Sequence, residues 1–339
     1  MKLVRFAFAF LGVCCLAVSL QAREVITCKS PDGKFALRCV YADSQPYNGD
    51  IAIVETATRK IVLPLDSNWT IGQVKVIWSP DSQRVAYFAR KGNGYATRVF
   101  FRRDSSFNEI ALSDLPSPKL PPNATAGPEA DTSTRTEPIR WNGSRDLLLE
   151  KELLNPAWGR AALKITLGFD QENRPSVQST EQEKVSIIDY FLLLPPKDFE
   201  APPSAWLGMM RGGEYFPCDT TPEHNIDEKN GYMYCRGDGA EPEFEVALFR
   251  HRDGRPLLAL CSGALEGPDS VQLRFFEMGP DGKMHEIERS IFPVPDSDED
   301  RWQFEMPKEG RTLLVRARKG GKVLHKVTWN GEKFQKEKL

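Results

Sequence analysis

Histidine is scarce here: four in 339 residues, at His224, His251, His285 and His325, scattered along the chain. No two stand at the i, i+4 spacing that puts a pair of zinc ligands on one helix face, so that class of metallohydrolase is set aside. A Gly-x-Ser-x-Gly elbow is also missing; Cys261-Ser262-Gly263 lacks the first glycine and follows a hairpin strand rather than opening a helix. A serine hydrolase on an alternating strand–helix sheet is therefore set aside too. There is no excess of positive charge, with 45 basic residues against 47 acidic ones. That balance excludes the basic stripe a nucleic-acid partner would need. Beyond the first 20 residues no apolar run is long enough to cross a bilayer. No cofactor fingerprint is present, and none is expected to bind.

What is present begins with a leader. Lys2 and Arg5 precede an unbroken apolar run, Phe6 to Leu20, and the small Ala22 stands just before Arg23-Glu24. Basic start, apolar middle and small residue at the cut are the order of a secretory signal, which predicts cleavage after Ala22 and a periplasmic or secreted protein. The run is short for a membrane span, so removal is preferred to anchoring. A lipid on Cys14 or Cys15 is the alternative, which Val13 fits poorly. Losing Lys2 and Arg5 leaves 43 basic residues against 47 acidic ones. The remaining length suggests about two domains.

Of the seven cysteines, five survive the cut: Cys28, Cys39, Cys218, Cys235 and Cys261. Outside the cytoplasm disulfides persist, and the close pairs Cys28 with Cys39 and Cys218 with Cys235 are the expected ones. The first has a geometric obstacle. If Asp32-Gly33 makes a two-residue turn, residue 28 faces 37, and Cys39 sits diagonally unless the register shifts.

Hairpins recur along the first half. Ser30-Pro31-Asp32-Gly33 is a turn with a mechanism, since Pro fixes φ and Gly accepts a positive one. A strand from Phe35 to Tyr41, an Asn48-Gly49 turn, Ile51 to Val54 and Ile61 to Leu63 follow. The pattern restarts at Val76-Ile77-Trp78-Ser79-Pro80-Asp81-Ser82, 49 residues on, which is a blade-sized period. A weaker third copy begins at Ile139-Arg140-Trp141-Asn142-Gly143-Ser144, with Trp141 in the place of Trp78. These residues resemble the WD40-like repeats of TolB-type β-propellers over roughly residues 25–170. The resemblance implies four-stranded antiparallel units and says nothing of a ligand. Three copies are fewer than a closed propeller needs, so incomplete blades are expected. Between the second and third copies, residues 113–138 read as a flexible Pro/Ser/Thr-rich insertion.

The second half opens on a predicted helix, Glu181 to Leu194, with Thr180 and Glu183 as a capping box and Pro195 as its stop. Strands then return around Asp253-Gly254, Pro280-Asp281-Gly282, Gly320-Gly321 and Asn330-Gly331. This half resembles uncharacterised exported bacterial proteins. The expected fold is mainly β, with propeller-like meanders over 23–178 and a smaller α+β domain with one long helix over 179–339.

Candidate sites are few. Asp219, His224 and Asp227 form the densest set of metal-type ligands, though a solvated loop stapled by a disulfide is the preferred reading. The acidic run Asp296 to Asp300 lacks the glycine and distal glutamate of a calcium loop. Trp158 and Trp206 lie in Pro- and Gly-containing stretches and are the expected exposed aromatics for ligand binding. Trp78 and Trp141 sit where repeat packing wants them. The expected function is a non-catalytic binding or interaction module for a protein or carbohydrate ligand. The alternative is a degenerate hydrolase acting on glycans or peptides.

Overall fold

The computed structural model describes residues 22–42, 45–69, 74–91, 94–112, 114–121, 124, 132–199, 201–213, 223–236, 243–263, 272–294, 302–317 and 321–337. The protein is mainly β, 58% strand and 8% helix, and antiparallel meanders make up its sheets. The first meander is β1 (Ala22–Thr27), β2 (Phe35–Ala42), β3 (Gln45–Glu55) and β4 (Ile61–Trp69). The second is β5 (Lys75–Trp78), β6 (Arg84–Lys91), β7 (Gly94–Arg103) and β8 (Ser106–Ile110). The third is β9 (Ser133–Asn142), β10 (Asp146–Asn155), β11 (Gly159–Phe169) and β12 (Pro175–Gln182). A parallel bridge between Tyr95 and Arg135 fuses the second and third meanders into one eight-stranded sheet. The backbones touch there: a Cβ on Gly94 would fall 2.2 Å from the Thr134 carbonyl oxygen, so only glycine fits.

Two short helices follow, α1 (Ile187–Phe191) and α2 (Pro203–Gly213). A six-stranded meander comes next: β13 (His224–Asp227), β14 (Tyr232–Cys235), β15 (Glu243–Arg250), β16 (Pro256–Gly263), β17 (Gln272–Met278) and β18 (Met284–Ile287). The last sheet is β19 (Trp302–Glu305), β20 (Thr312–Ala317), β21 (Val323–Trp329) and β22 (Phe334–Glu337).

The repeat read in the sequence is physical. Ser30 Oγ donates to Asp32 at 2.6 Å and accepts from the Phe35 amide at 3.0 Å. Ser79 Oγ donates to Asp81 at 2.6 Å and accepts from the Arg84 amide at 2.8 Å. Gly33 and Ser82 take the same turn position with φ of 70° and 59°. The two turns meet, with the Asp32 amide donating to Ser82 Oγ at 3.0 Å. Each tryptophan then bonds to the meander before it. The Trp78 indole N–H donates to the Cys28 carbonyl at 2.8 Å, two residues ahead of the turn serine. Trp141 donates to the Ile77 carbonyl at 3.2 Å, again two residues ahead of the next turn serine. Trp329 repeats the device in the second half, donating to the Arg250 carbonyl at 2.8 Å.

Cores fill the spaces between successive meanders. Phe35, Leu37, Ile53, Val85, Tyr87 and Phe100 pack the first against the second. Ala86, Val99, Leu147, Leu149 and Ile165 join the second to the third. The helices and one face of the six-stranded sheet share a core around Phe191, Trp206, Met210 and Phe244. Its other face packs on the last sheet through Phe249, Phe275, Leu313, Trp329 and Phe334.

Several expectations change. The long helix from 181 to 194 is absent: residues through Gln182 pair with β11 as an edge strand, and α1 covers only five residues. Its capping box is Ser186 with Asp189 rather than Thr180 with Glu183. The open edge of β11 captures this stretch before a helix can start. The predicted boundary at 178/179 accordingly falls inside β12. Asn48-Gly49 lies within β3 instead of at a turn. Within the insertion expected at 113–138, β9 already starts at Ser133, and Leu115 and Lys119 are bonded to the sheet. Lys151 Nζ donates to the Leu115 carbonyl at 2.9 Å, and the Lys119 amide to Gln182 Oε1 at 2.9 Å. The leader before Ala22 lies outside the described residues. Among those described, no helix is long and apolar enough to cross a membrane.

Candidate functional site

β10 carries the feature that most resembles a site. Its period of two sends Leu147 and Leu149 into the core with the second meander and turns Glu150, Glu152 and Leu154 toward the helices. Strand pairing sets Glu137 beside Glu150, Arg135 beside Glu152, and Lys164 across from Glu150 on the other flank. The result is a layer of charge under the helices.

Arg160, at the start of β11, is its centre, with a side chain only 1% exposed. Its guanidinium bonds to Glu152, to Glu150 at 2.9 Å and to Glu183 at 2.6 Å, and lies 3.8 Å from Asp189 of α1. Glu152 is equally buried. Arg211, in the last turn of α2, grips it with both nitrogens, at 2.6 and 3.1 Å. Arg135 stands 3.9 Å from Glu152 and bonds Glu137 at 2.7 Å, while Lys75 of β5 reaches Glu137 at 2.8 Å. Lys164 bonds Glu183 at 2.8 Å. Strands of the second and third meanders and both helices thus meet in one ionic layer.

Proton affinities split inside it. Burial, and then the charge of Glu152, push Glu150 up to about 8 against the pull of Arg160. Burial also opposes ionisation of Glu152, but Arg211 and Arg160 overcome it and hold that carboxylate well below its usual range. Asp189 is raised by burial despite Arg160. In Glu183, Lys164 and Arg160 outweigh burial and lower it. The two carboxyls are thus pushed in opposite directions, Glu150 toward keeping its proton and Glu152 toward losing it. Two carboxyls with opposed affinities are the arrangement acid–base enzymes use.

The residues singled out from the sequence lie elsewhere or serve otherwise. Trp158 and Trp206 are interior, 6% and 1% exposed, which corrects the expectation of exposed loop aromatics. Trp206 sits on α2, which Pro203 opens as its first residue, and its ring meets Phe244 edge-on at 5.2 Å. Trp158 occupies the β10–β11 turn, where Asn155 Oδ1 accepts from the Ala157 amide at 2.8 Å. Both flank the charged layer, Trp158 two residues before Arg160 and Trp206 five before Arg211.

His224 and Asp227 stand three residues apart on β13, on opposite faces, and Asp227 caps the following turn by accepting from Asn230 Nδ2 at 2.7 Å. Asp219 lies outside the described residues. Among the described residues no group of three His, Cys, Asp or Glu side chains is arranged to hold a metal. The Cys28–Cys39 bond is not formed. Cys39 faces Val25, and Cys28 lies three positions further along, a free thiol in the first core. Three positions along a strand is about 10 Å, beyond a disulfide's reach. Cys218 lies outside the described residues.

No family model matches the chain, and no curated protein matches it. Solved structures similar to it include the WD40 domain of SCAP from fission yeast, at 10% identity and a TM-score of 0.24, covering 93% of this chain and 86% of that one. TolB from Acinetobacter baumannii aligns at 9% identity and a TM-score of 0.25, over 93% of this chain and 56% of its own. An acylaminoacyl peptidase in complex with Z-Gly-Gly-Phe-chloromethyl ketone aligns at 13% identity and a TM-score of 0.29, over 93% and 46%. The chain thus spans about half the length of the last two. TM-scores this low leave the fold to be read from the chain's own hydrogen bonding.

Proposed function

We propose that the chain is an exported, non-catalytic binding or interaction module whose partner is a protein or a carbohydrate. One observation carries this reading. Both oxygens of Glu152, the carboxylate best placed to serve as a base, are taken by Arg211. The constellation that most resembles an acid–base pair is therefore spent on joining α2 to the third meander. Export rests on the leader Lys2 to Ala22, and an oxidising destination would let Cys218 pair with Cys235.

The opposed proton affinities of Glu150 and Glu152 favour a second reading, hydrolysis of a glycan or peptide. One experiment separates the two. The mature protein is screened against glycan and peptide arrays, with binding and product formation both recorded. Saturable binding with no product supports the module. Product formation that disappears in Glu150→Gln, while that variant keeps wild-type thermal stability, supports the hydrolase and overturns the first reading. Mass spectrometry of the exported protein checks the rest, with an N-terminus at Arg23 and a Cys218–Cys235 bond expected.

A further inference from the structure

We propose that one row of the third meander is a binding site for an extended, proline-containing segment of a partner protein, and that the chain's own residues 114–121 occupy it until such a segment displaces them. Such a site gives the binding module a ligand class, and it rests on that reading of the chain.

The row is Lys151 of β10, Leu163 of β11 and Gln182 of β12. Lys151 pairs directly with Leu163, and Leu163 with Gln182, so the three side chains share one face of the sheet. Leu163 belongs to the core that joins the second and third meanders, and Leu115 packs against that core. Residues 114–121 read Asp-Leu-Pro-Ser-Pro-Lys-Leu-Pro and cross the three strands along this row. At one end Lys151 Nζ donates to the Leu115 carbonyl at 2.9 Å and to Ser117 Oγ at 3.2 Å. At the other the Lys119 amide donates to Gln182 Oε1 at 2.9 Å. Gln182 is itself anchored, its Nε2 donating to the Ala162 carbonyl at 2.9 Å. The lengths agree: four residues of polyproline II rise span about 12 Å, against about 10 Å across three strands.

The strap has the period of three of a polyproline II helix. Pro118 is buried and Leu115 and Pro121 are half-buried, whereas Asp114, Ser117 and Leu120 are exposed. One edge therefore lies on the sheet and another faces water, with Leu120 48% exposed. Among the described residues the strap joins no strand ladder. Two of its three bonds to the row reach strap backbone, so they select an extended conformation rather than particular side chains. An apolar residue or proline at every third position supplies the rest of the fit. A segment of another protein meets both requirements equally well, and prolines that fix φ keep its ordering cost low. It competes with a tethered strap whose effective concentration is on the order of millimolar, so the intact chain binds it more weakly than an emptied row does.

A labelled synthetic peptide of the 114–121 sequence tests this by fluorescence anisotropy. The emptied row is the full chain with residues 114–121 replaced by alternating Gly and Ser, its fold checked by thermal melting. It should bind the peptide saturably, and at least about tenfold more tightly than the wild type does. Lys151→Met with Gln182→Leu in the emptied chain, or alanines in place of the peptide's prolines, should each weaken binding at least about tenfold. Hydrogen exchange in the wild type gives a readout that needs no variant: the amides of Leu115, Ser117, Lys119 and Leu120 should exchange faster as peptide loads. No binding by a folded emptied chain, equal binding of the alanine peptide, or no rise in strap exchange at millimolar peptide overturns the proposal. An array ligand without peptide binding at the row overturns this inference alone. Product formation on the arrays, with the peptide still bound, overturns the module reading alone.

Discussion

Two junctions in this molecule solve the same problem with different chemistry. Between the first and second meanders the core contact is apolar and aromatic, with Phe35 against Phe107 at 5.2 Å and against Trp78 at 6.3 Å. Its polar contacts include the Trp78 indole on the Cys28 carbonyl and the Asp32 amide on Ser82 Oγ, with the Tyr87 hydroxyl donating to Asp66 at 2.6 Å and Arg102 reaching Asp32 at 3.3 Å nearer its edges. Between the third meander and α2 the apolar contact is joined by a layer of carboxylates and guanidinium groups with almost no exposure to water. The first kind of junction degrades gradually, because each lost contact removes only its own share. The second is brittle, since removing one partner strands another charge in a dry interior.

The sharpest way to expose that difference is Glu152→Ala. It leaves Arg160 and Arg211 facing each other without their shared carboxylate. Urea unfolding should show a loss of about 3–5 kcal/mol. A loss under about 1 kcal/mol would mean the layer is no more brittle than the apolar junction.

pH separates the two junctions next. Glu150 keeps its proton in the folded state up to about 8, whereas the unfolded chain loses it near 4.5. Between those values the unfolded state binds fewer protons, so Glu150 makes stability fall as pH rises. Glu152 and Glu183 act oppositely. Their contribution is complete above the unfolded carboxylate value and fades as acid protonates them. Glu150→Gln should gain on the wild type by about 2–4 kcal/mol between pH 5 and pH 8, read from unfolding midpoints at each pH. Substitutions at Trp78 should show no such pH dependence.

Smaller effects sharpen the picture of the repeat. Trp78→Phe keeps the ring but removes the donor to the Cys28 carbonyl, at a cost of about 1–2 kcal/mol. Trp141→Phe should cost the same or less, because its bond is longer. At the bottom of the scale, Arg174→Ala breaks ion pairs with Asp170 and Glu172 that are largely in water. Its effect on thermal unfolding should stay within about 0.5 kcal/mol.

The contrast between junctions also explains what the sequence disclosed. The first junction was legible because its parts are local. Ser-Pro-Asp turns close within six residues, and Trp78 and Trp141 recur at the same place relative to them. Mainly β architecture and incomplete blades followed from that. The helix at 181–194 misled because Val185, Ile188 and Phe191 do fall at helical spacing, while the open edge of β11, which decides the matter, is distant in sequence. Trp206 read as a loop residue because Pro203 and Gly208 suggest breaks, yet proline is at home in a helix's first turn.

The charged layer was hidden for a related reason. Its members run from Lys75 to Arg211, and only folding gathers them. One signal was available. Glu150 and Glu152 interrupt the leucines of Leu147-Leu148-Leu149 and Leu153-Leu154, and acids within an apolar strand imply buried partners.

The most direct test is a double-mutant cycle on Glu152 and Arg211, using Glu152→Gln, Arg211→Leu and the pair, each unfolded in urea at pH 7. If the two side chains hold α2 to the third meander, their coupling should be at least about 2 kcal/mol. Additive losses, with coupling below about 0.5 kcal/mol, would contradict the account.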